Sequence, residues 1–345
     1  MSVFSWPLPR SLWGAMLVLL SGWLIAVPVE AQQTYNNAGL AAHGIHIDGA
    51  KDLTLQRQEL YLSTQEIRLH YEFRNEASRD LQLRVSFPID GIESRPAAIY
   101  IRGDDRPVED PANFLDLAVS ANGQAVVPEP RFLAIWDKDI TDELSAYNIP
   151  LNRFDPDYAS KMADLPADVI EALREKGLVD DDYSSRASSW MSEWYLEVDY
   201  AWVQVFPAGA VTTLDLVWHP MIHQNYLGKA DLTSGSGPFD LEPYCLDSSV
   251  VDAFEQHGPE TLMESDYSTS RRLDFQWSRE GGWSAPVGSF QLVIDRLNPE
   301  ILFSTCQQGL KQVSPTRYEL QATDYRPEES LQMLFIELAN PASSN

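Results

Sequence analysis

From Glu66 to Arg74 the chain alternates without a break. Ile67, Leu69, Tyr71 and Phe73 are apolar, and the residues between them are charged or polar. A period of two predicts a strand with one dry and one wet face. After a polar turn at 75–80 the alternation resumes at Leu81, Leu83, Val85 and Phe87. The two runs read as an antiparallel hairpin, closed by Pro88, which has no N–H to give a ladder. A second hairpin centres on Asn122-Gly123, residues that readily take the positive φ of a tight turn, with Leu115, Leu117 and Val119 before it and Ala125 and Val127 after it. A third pair runs over 195–206, turns at Pro207-Ala208-Gly209 and returns over 211–218. Further strands are expected at 273–277, 290–295, 317–321 and 331–338.

Between 139 and 189 the period changes. Val169, Ile170, Ala172 and Leu173 are spaced for a helix, with Pro166 at its start and Gly177 just past its end. The flanks are acidic, including Asp180-Asp181-Asp182. The segment reads as a helical insertion between two sets of strands, and as a candidate acidic docking element. A Gly/Ser loop follows at 234–238, and no fixed-period repeat appears.

The first 31 residues differ again. Arg10 precedes an apolar run from Trp13 to Val27, Pro28 breaks it, and Val29-Glu30-Ala31 offers small or short-branched residues to a signal peptidase. This is the layout of a secretory leader cut after Ala31. The run is about 15 residues where a bilayer core needs roughly 20.

Charge removes two classes of partner. The net charge is −26, and cutting away Arg10 and Glu30 leaves it unchanged. Such a chain disfavours nucleic acid and anionic membrane surfaces, which need clustered Lys and Arg. The two cysteines, Cys245 and Cys306, both lie in the exported part, where an even pair reads as a disulfide.

Glu59-Leu60-Tyr61-Leu62-Ser63, then 68–75, Asp80 and Val85-Ser86-Phe87-Pro88-Ile89 resemble the opening of a bacterial exported family, domain of unknown function 4424. The likeness continues through Val205-Phe206-Pro207-Ala208-Gly209, the stretch from Trp283 to Asp295, and Cys306, Gly309, Ser314-Pro315-Thr316 and Arg326-Pro327. It implies an exported, β-rich protein over about 36–338 with no assigned activity. Tyr71-Glu72-Phe73-Arg74-Asn75 and Phe87-Pro88 also resemble, locally, the N-terminal domain of inter-alpha-trypsin inhibitor heavy chains.

His219 and His223 are four apart, but Pro220 follows the first and no third ligand is evident, so they do not make a zinc site. His43 and His46 read as surface. Asp137, Asp139, Asp142 and Glu143 fail the EF-hand pattern, which needs Gly sixth and Glu twelfth. Gly282-Trp283-Ser284-Ala285-Pro286 has Pro where a nucleophile elbow needs its second Gly. Trp202 and Trp218 are assigned to a core and Trp190 and Trp194 to the docking of the insertion, rather than to sugar stacking.

The sequence thus predicts a mainly β, antiparallel, sandwich-like architecture with a helical insertion. Its parts are a leader (1–31), an N-terminal β region (32–138), the insertion (139–189) and a C-terminal β region carrying the disulfide (190–345). The two β regions form one core or two. No catalytic, cofactor-binding or metal-binding residue is assigned. The functional expectation is an exported, non-catalytic binding or scaffolding protein of the bacterial cell envelope, periplasmic or extracellular. Its partner would be a protein or envelope component, without nucleic acid or stable membrane insertion. A hydrolase of envelope polymer using acidic residues is the alternative. If the leader is cut as read, intact-mass analysis of the protein from its producing cell will find Gln32, free or cyclised, at the N-terminus; a full-length membrane-embedded product would contradict it.

Overall fold

The computed structural model describes residues 42–94, 101–181, 190–233, 240–258, 268–277, 286–326 and 330–338. The leader and its cleavage position lie outside them. Before the insertion the chain forms β1 (Leu53–Ser63), β2 (Ile67–Asn75), β3 (Leu81–Glu93), β4 (Ala118–Ala121), β5 (Gln124–Val126) and β6 (Glu129–Trp136). After it come β7 (Tyr195–Phe206), β8 (Val211–Trp218), β9 (Met221–Leu227) and β10 (Ser268–Gln276). The last long strands are β11 (Val287–Asp295), β12 (Arg317–Tyr325) and β13 (Ser330–Glu337).

These strands form two large sheets of a mainly β, sandwich-like fold. One runs β12, β11, β1, β2, β8, β4, β5, with residues 311–312 beyond β12, and is antiparallel except between β11 and β1. The other places β6, β7 and β3 on one side and β10, β9 and β13 on the other. Residues 42–43 join the halves, Ala42 pairing antiparallel with Ile89 and parallel with Phe275.

The inward residues of both sheets make one hydrophobic cluster that draws on strands before and after the insertion. Aromatic rings lock the sheets edge to face. Phe87 of β3 meets Trp218 of β8 at 4.8 Å, and Phe73 of β2 meets Phe206 of β7 at 6.1 Å. Just past β10, Trp277 meets Phe290 of β11 at 5.4 Å. Such pairs add about 1 kcal/mol each beyond the area they bury.

Three sequence expectations are corrected. β2 and β3 are not a hairpin: β2 pairs with β1 and β8, while β3 lies in the other sheet against β7. The pair β7 and β8 is divided between the sheets in the same way. A flat hairpin would put two dry faces side by side, whereas a chain that crosses over turns them toward each other. The crossing after β2 is held by buried Asn75. Its Nδ2 donates to the carbonyls of Arg79 (2.9 Å) and Phe206 (2.8 Å), and its Oδ1 accepts from the Ala77 N–H (2.9 Å). Nor does Pro88 end its strand. It sits at the break between residues 46–47, which pair with Ser86 and Val85, and Ala42, which pairs with Ile89. The Asn122-Gly123 hairpin forms as read, with φ of 50° and 73°.

The insertion carries three short helices, α1 (Thr141–Ala146), α2 (Tyr158–Ala163) and α3 (Ala167–Glu175), the last lying between Pro166 and Gly177 as read. They bury Leu144, Tyr158, Met162 and Leu173 in a cluster of their own, which Ala134, Trp190 and Trp194 join from the flanking chain. A further layer covers β9 and β13: α4 (Lys229–Thr233) and α5 (Ser248–His257), with Tyr244 and Phe254 packed on Leu334 and Ile336. Asp247 caps α5 by accepting from the Val250 N–H. The Cys245–Cys306 disulfide, with Cα atoms 5.0 Å apart, pins this layer to the sheet. On the chain-entropy view, closing the loop between cysteines 61 residues apart is worth about 4 kcal/mol. Under the layer Asp274 is buried, and burial pushes its pKa up to about 6 against the pull of Gln332 and Arg272. No helix among the described residues is long and apolar enough to cross a membrane.

Asn75 generates the stability prediction. Asn75→Ala leaves the buried Phe206 carbonyl without its donor and releases the part-buried Arg79 carbonyl and Ala77 N–H, and Asn75→Asp removes both donors. Each should cost about 2–4 kcal/mol in urea unfolding, at roughly 1–3 kcal/mol per buried group left without a partner. A loss under about 0.5 kcal/mol would show that Asn75 does not hold the crossing.

Candidate functional site

The wet face of the eight-stranded sheet carries the most organised polar surface among the described residues. Because side chains alternate, every second residue of each strand points to this face, and the register sets which of them are neighbours. One row crosses six strands: Gln321 lies beside Gln291, then Glu59, His70, Asp215 and Ser120. The adjacent row is less polar, running Glu319, Val293, Tyr61, Arg68, Val217. Two depressions that share Glu59 and Gln291 flank the first row, one between the two rows and one on the row's other side. One, of about 510 Å³, spans β12 to β8 beside Tyr61, His70 and Asp215; the other, of about 390 Å³, lies over β12, β11 and β1 beside Gln321 and Ser289.

Charges on this face are compensated within it. The Arg57 guanidinium donates to Glu59 at 2.9 Å and lies 3.7 Å from Glu72. Arg317 donates to Asp295 at 2.8 Å; burial works against the Asp295 carboxylate, but the bonds from Arg317, the Leu297 N–H and Thr316, with the Arg317 charge, together outweigh it and lower the pKa. Tyr61 donates to the same carboxylate at 3.4 Å, and the Arg68 guanidinium stacks 3.9 Å from the Tyr61 ring centroid. Burial, then the Asp295 charge, raises the Tyr61 pKa, so the phenol keeps its proton.

His70 stands at the centre. Its Nδ1 is 2.7 Å from Asp215 Oδ1 and its Nε2 is 3.4 Å from Glu72 Oε1. Burial disfavours the imidazolium, but these two acceptors outweigh it and raise the pKa above the usual histidine value. Ser120 Oγ is 3.5 Å from Asp215 Oδ2. The trio Ser120, Asp215, His70 is not a hydrolytic relay: the carboxylate lies between hydroxyl and imidazole, whereas nucleophile activation needs the imidazole in the middle.

The residues weighed in the sequence are placed elsewhere. His219 belongs to an ion network at one end of the sandwich. Its Nδ1–H donates to the Gln65 carbonyl (2.7 Å) and its Nε2 accepts from Arg106 (3.3 Å), so both ring nitrogens are used. Buried Arg102 in the same network holds Asp104 at 2.7 Å and Asp116 at 2.8 Å. Burial opposes the Asp104 charge, but Arg102 and Arg106 hold its pKa down at about 2. Gly103 fits there only without a side chain, since a Cβ would meet the Thr64 carbonyl at 1.8 Å. The side chains of His43 and His223 lie outside the described residues, as do Asp182, Trp283 and Ser284. His46 contacts Asp48 at 3.0 Å. Asp139 accepts from the Thr141 N–H at the start of α1, and Asp181 pairs with Arg174 at 3.0 Å. Trp190, Trp194, Trp202, Trp218 and Trp277 are buried. Among the described residues no group of three or more His, Cys, Asp or Glu could hold a metal ion.

Sequence reasoning found Arg68, His70 and Glu72 only as a wet face. It missed Gln291, Gln321, Asp215 and Ser120 as their neighbours, because those come from strands distant in the chain.

An antiparallel sandwich that presents a polar depression on a rigid sheet is the class of structure defined here. The chain belongs to the family described as domain of unknown function (DUF4424), whose profile matches residues 35–334. A candidate nutrient-binding protein from Legionella pneumophila aligns with a TM-score of 0.43 and 9% identity, over 86% of this chain and 71% of that one, a likeness too low to carry an argument. No protein of curated function matches. Nothing in these matches bears on the local likeness to inter-alpha-trypsin inhibitor heavy chains.

The raised His70 pKa has a sign that can be checked. A pKa above the unfolded value stabilises the fold at pH below the unfolded pKa, and that stabilisation is lost as pH rises through the folded pKa. NMR titration should place His70 above an ordinary histidine, and Asp215→Asn should lower it. An unchanged value in Asp215→Asn would remove Asp215 as the cause.

Proposed function

We infer that this is a non-catalytic binding protein, exported to the cell envelope, that holds its ligand on the wet face of the eight-stranded sheet. One observation carries the reading: the two adjoining depressions across β12, β11, β1, β2 and β8, lined by outward side chains whose positions are fixed by sheet register. Ligand sites are concave and largely preformed, and rigid strands supply that preorganisation. The order of Ser120, Asp215 and His70 supports binding over turnover. Export is supported by the leader at 1–31 and by the disulfide, a bond that persists in oxidising compartments.

An NMR titration of the 15N-labelled mature protein with single amino acids, hexoses, inorganic phosphate and short glycans tests this. At least one probe should shift amides of β11, β1, β2 and β8 and be recovered unchanged. Shifts confined to the eleven-stranded sheet, or conversion of the probe, would overturn the reading.

A further inference from the structure

Resting on that binding reading, we propose that the groove takes a neutral oligosaccharide chain laid across the strands, with its hydroxyl edge on the Gln321–Gln291–Glu59–His70–Asp215 row and its C–H face on Val293, Tyr61 and Val217.

Direction comes first. The polar row runs perpendicular to the strands, one side chain per strand, so its repeat is the interstrand spacing of roughly 4.8 Å. That is close to the advance of one hexose in a linear glycan, so successive rings would meet successive strands. From β12 to β8 the row makes four such steps, about 19 Å. This is a site for a chain of several rings rather than a single one.

The chemistry of the two rows comes second. Sugars expose hydroxyls at the ring edge and C–H groups on the ring face. A hydroxyl both donates and accepts, and so does a primary amide, whereas carboxylates accept only. The row supplies both kinds. None of the side-chain hydrogen bonds among the described residues uses Gln291 or Gln321, so their amides remain available to a ligand. The neighbouring row lies one same-face step away, about 6.6 Å; its Val293, Val217 and the Tyr61 ring face not covered by the Arg68 guanidinium offer apolar surface beside the charged Glu319 and Arg68.

Charge decides between ligand classes. The arginines of the face are committed: Arg57 to Glu59 and Glu72, Arg317 to Asp295, and Arg68 to Glu66 at 3.3 Å. No uncommitted cluster of cations remains for a phosphate or uronate chain, and a net charge of −26 repels a polyanion. A polycation would be drawn to the whole acidic surface rather than to this row, and its binding would fall steeply with salt.

Calorimetry on the mature protein tests the proposal with five tetrasaccharides. Three are neutral: β-1,4-glucose, α-1,4-glucose and β-1,4-N-acetylglucosamine. The other two are tetragalacturonate and the glucosamine tetramer. At least one neutral tetramer should bind, at least tenfold more tightly than its monosaccharide, with affinity unchanged between low and high salt. Gln291→Ala and Gln321→Ala should each weaken it roughly fivefold, as for one lost hydrogen bond, with melting temperature preserved. If only a charged tetramer binds, and the glutamine variants weaken it, the ligand class is wrong while the groove stands. If a neutral tetramer binds equally well to both variants, the groove itself is misplaced. If no neutral tetramer binds, the proposal is overturned.

Discussion

The packing of Phe87 on Trp218 states the constraint that orders the whole molecule. Every long strand must bury one face, and the largest apolar surface each sheet meets is that of the other. The edge-on ring pairs, at 4.8, 5.4 and 6.1 Å, fix how the two dry faces meet. With the inward residues so committed, the outward residues have no freedom to choose neighbours. The wet face is therefore as determined as the core. His70 faces Asp215 because Leu69 and Leu216, their inward neighbours in the chain, are both locked in the interior.

This coupling explains why a surface of charged and polar side chains is organised at all. Exposed ion pairs are individually worth little. Here they are held in register by strands whose position the core sets, so the arginine–carboxylate pairs cost little further ordering. The helical layers do a different task. The insertion and the α4–α5 layer carry their own small apolar clusters and lie away from the wet face of the eight-stranded sheet. They are covers, and the disulfide belongs to one of them.

What could be read in the sequence follows from the range of each signal. Alternation over 66–74 and 81–87 identified which residues are dry, because that depends only on neighbours in the chain. It could not show that the two runs enter opposite sheets, since a hairpin and a crossing have the same period; the difference lies in Asn75, one polar residue in a polar turn. α3 was legible from Pro166, Gly177 and the spacing between them. α5 was not, because only Val250 and Phe254 mark its buried side. Arg102 was invisible as a buried residue: arginine is ordinarily exposed, and the carboxylates that hold it lie in a loop with no periodicity. Of the polar row, β2 contributed a recognisable wet face, while its partners on β8 and β11 depend on long-range register.

One of the shortest strands reaches far along the chain. Residues 42–43 bridge β3 and β10, and β1 runs parallel to β11, so the first of the described strands complete their sheets only against some of the last. Loop closure must be met before such contacts return any stability, and chains dominated by distant pairings fold slowly. Neither sheet can close on a partly made chain. Until β10 and β11 have emerged, β1 has one open edge and an apolar face with half its cover missing. The molecule's order of assembly is thus set from its far end, and its early strands depend on being kept apart from other chains in the interval.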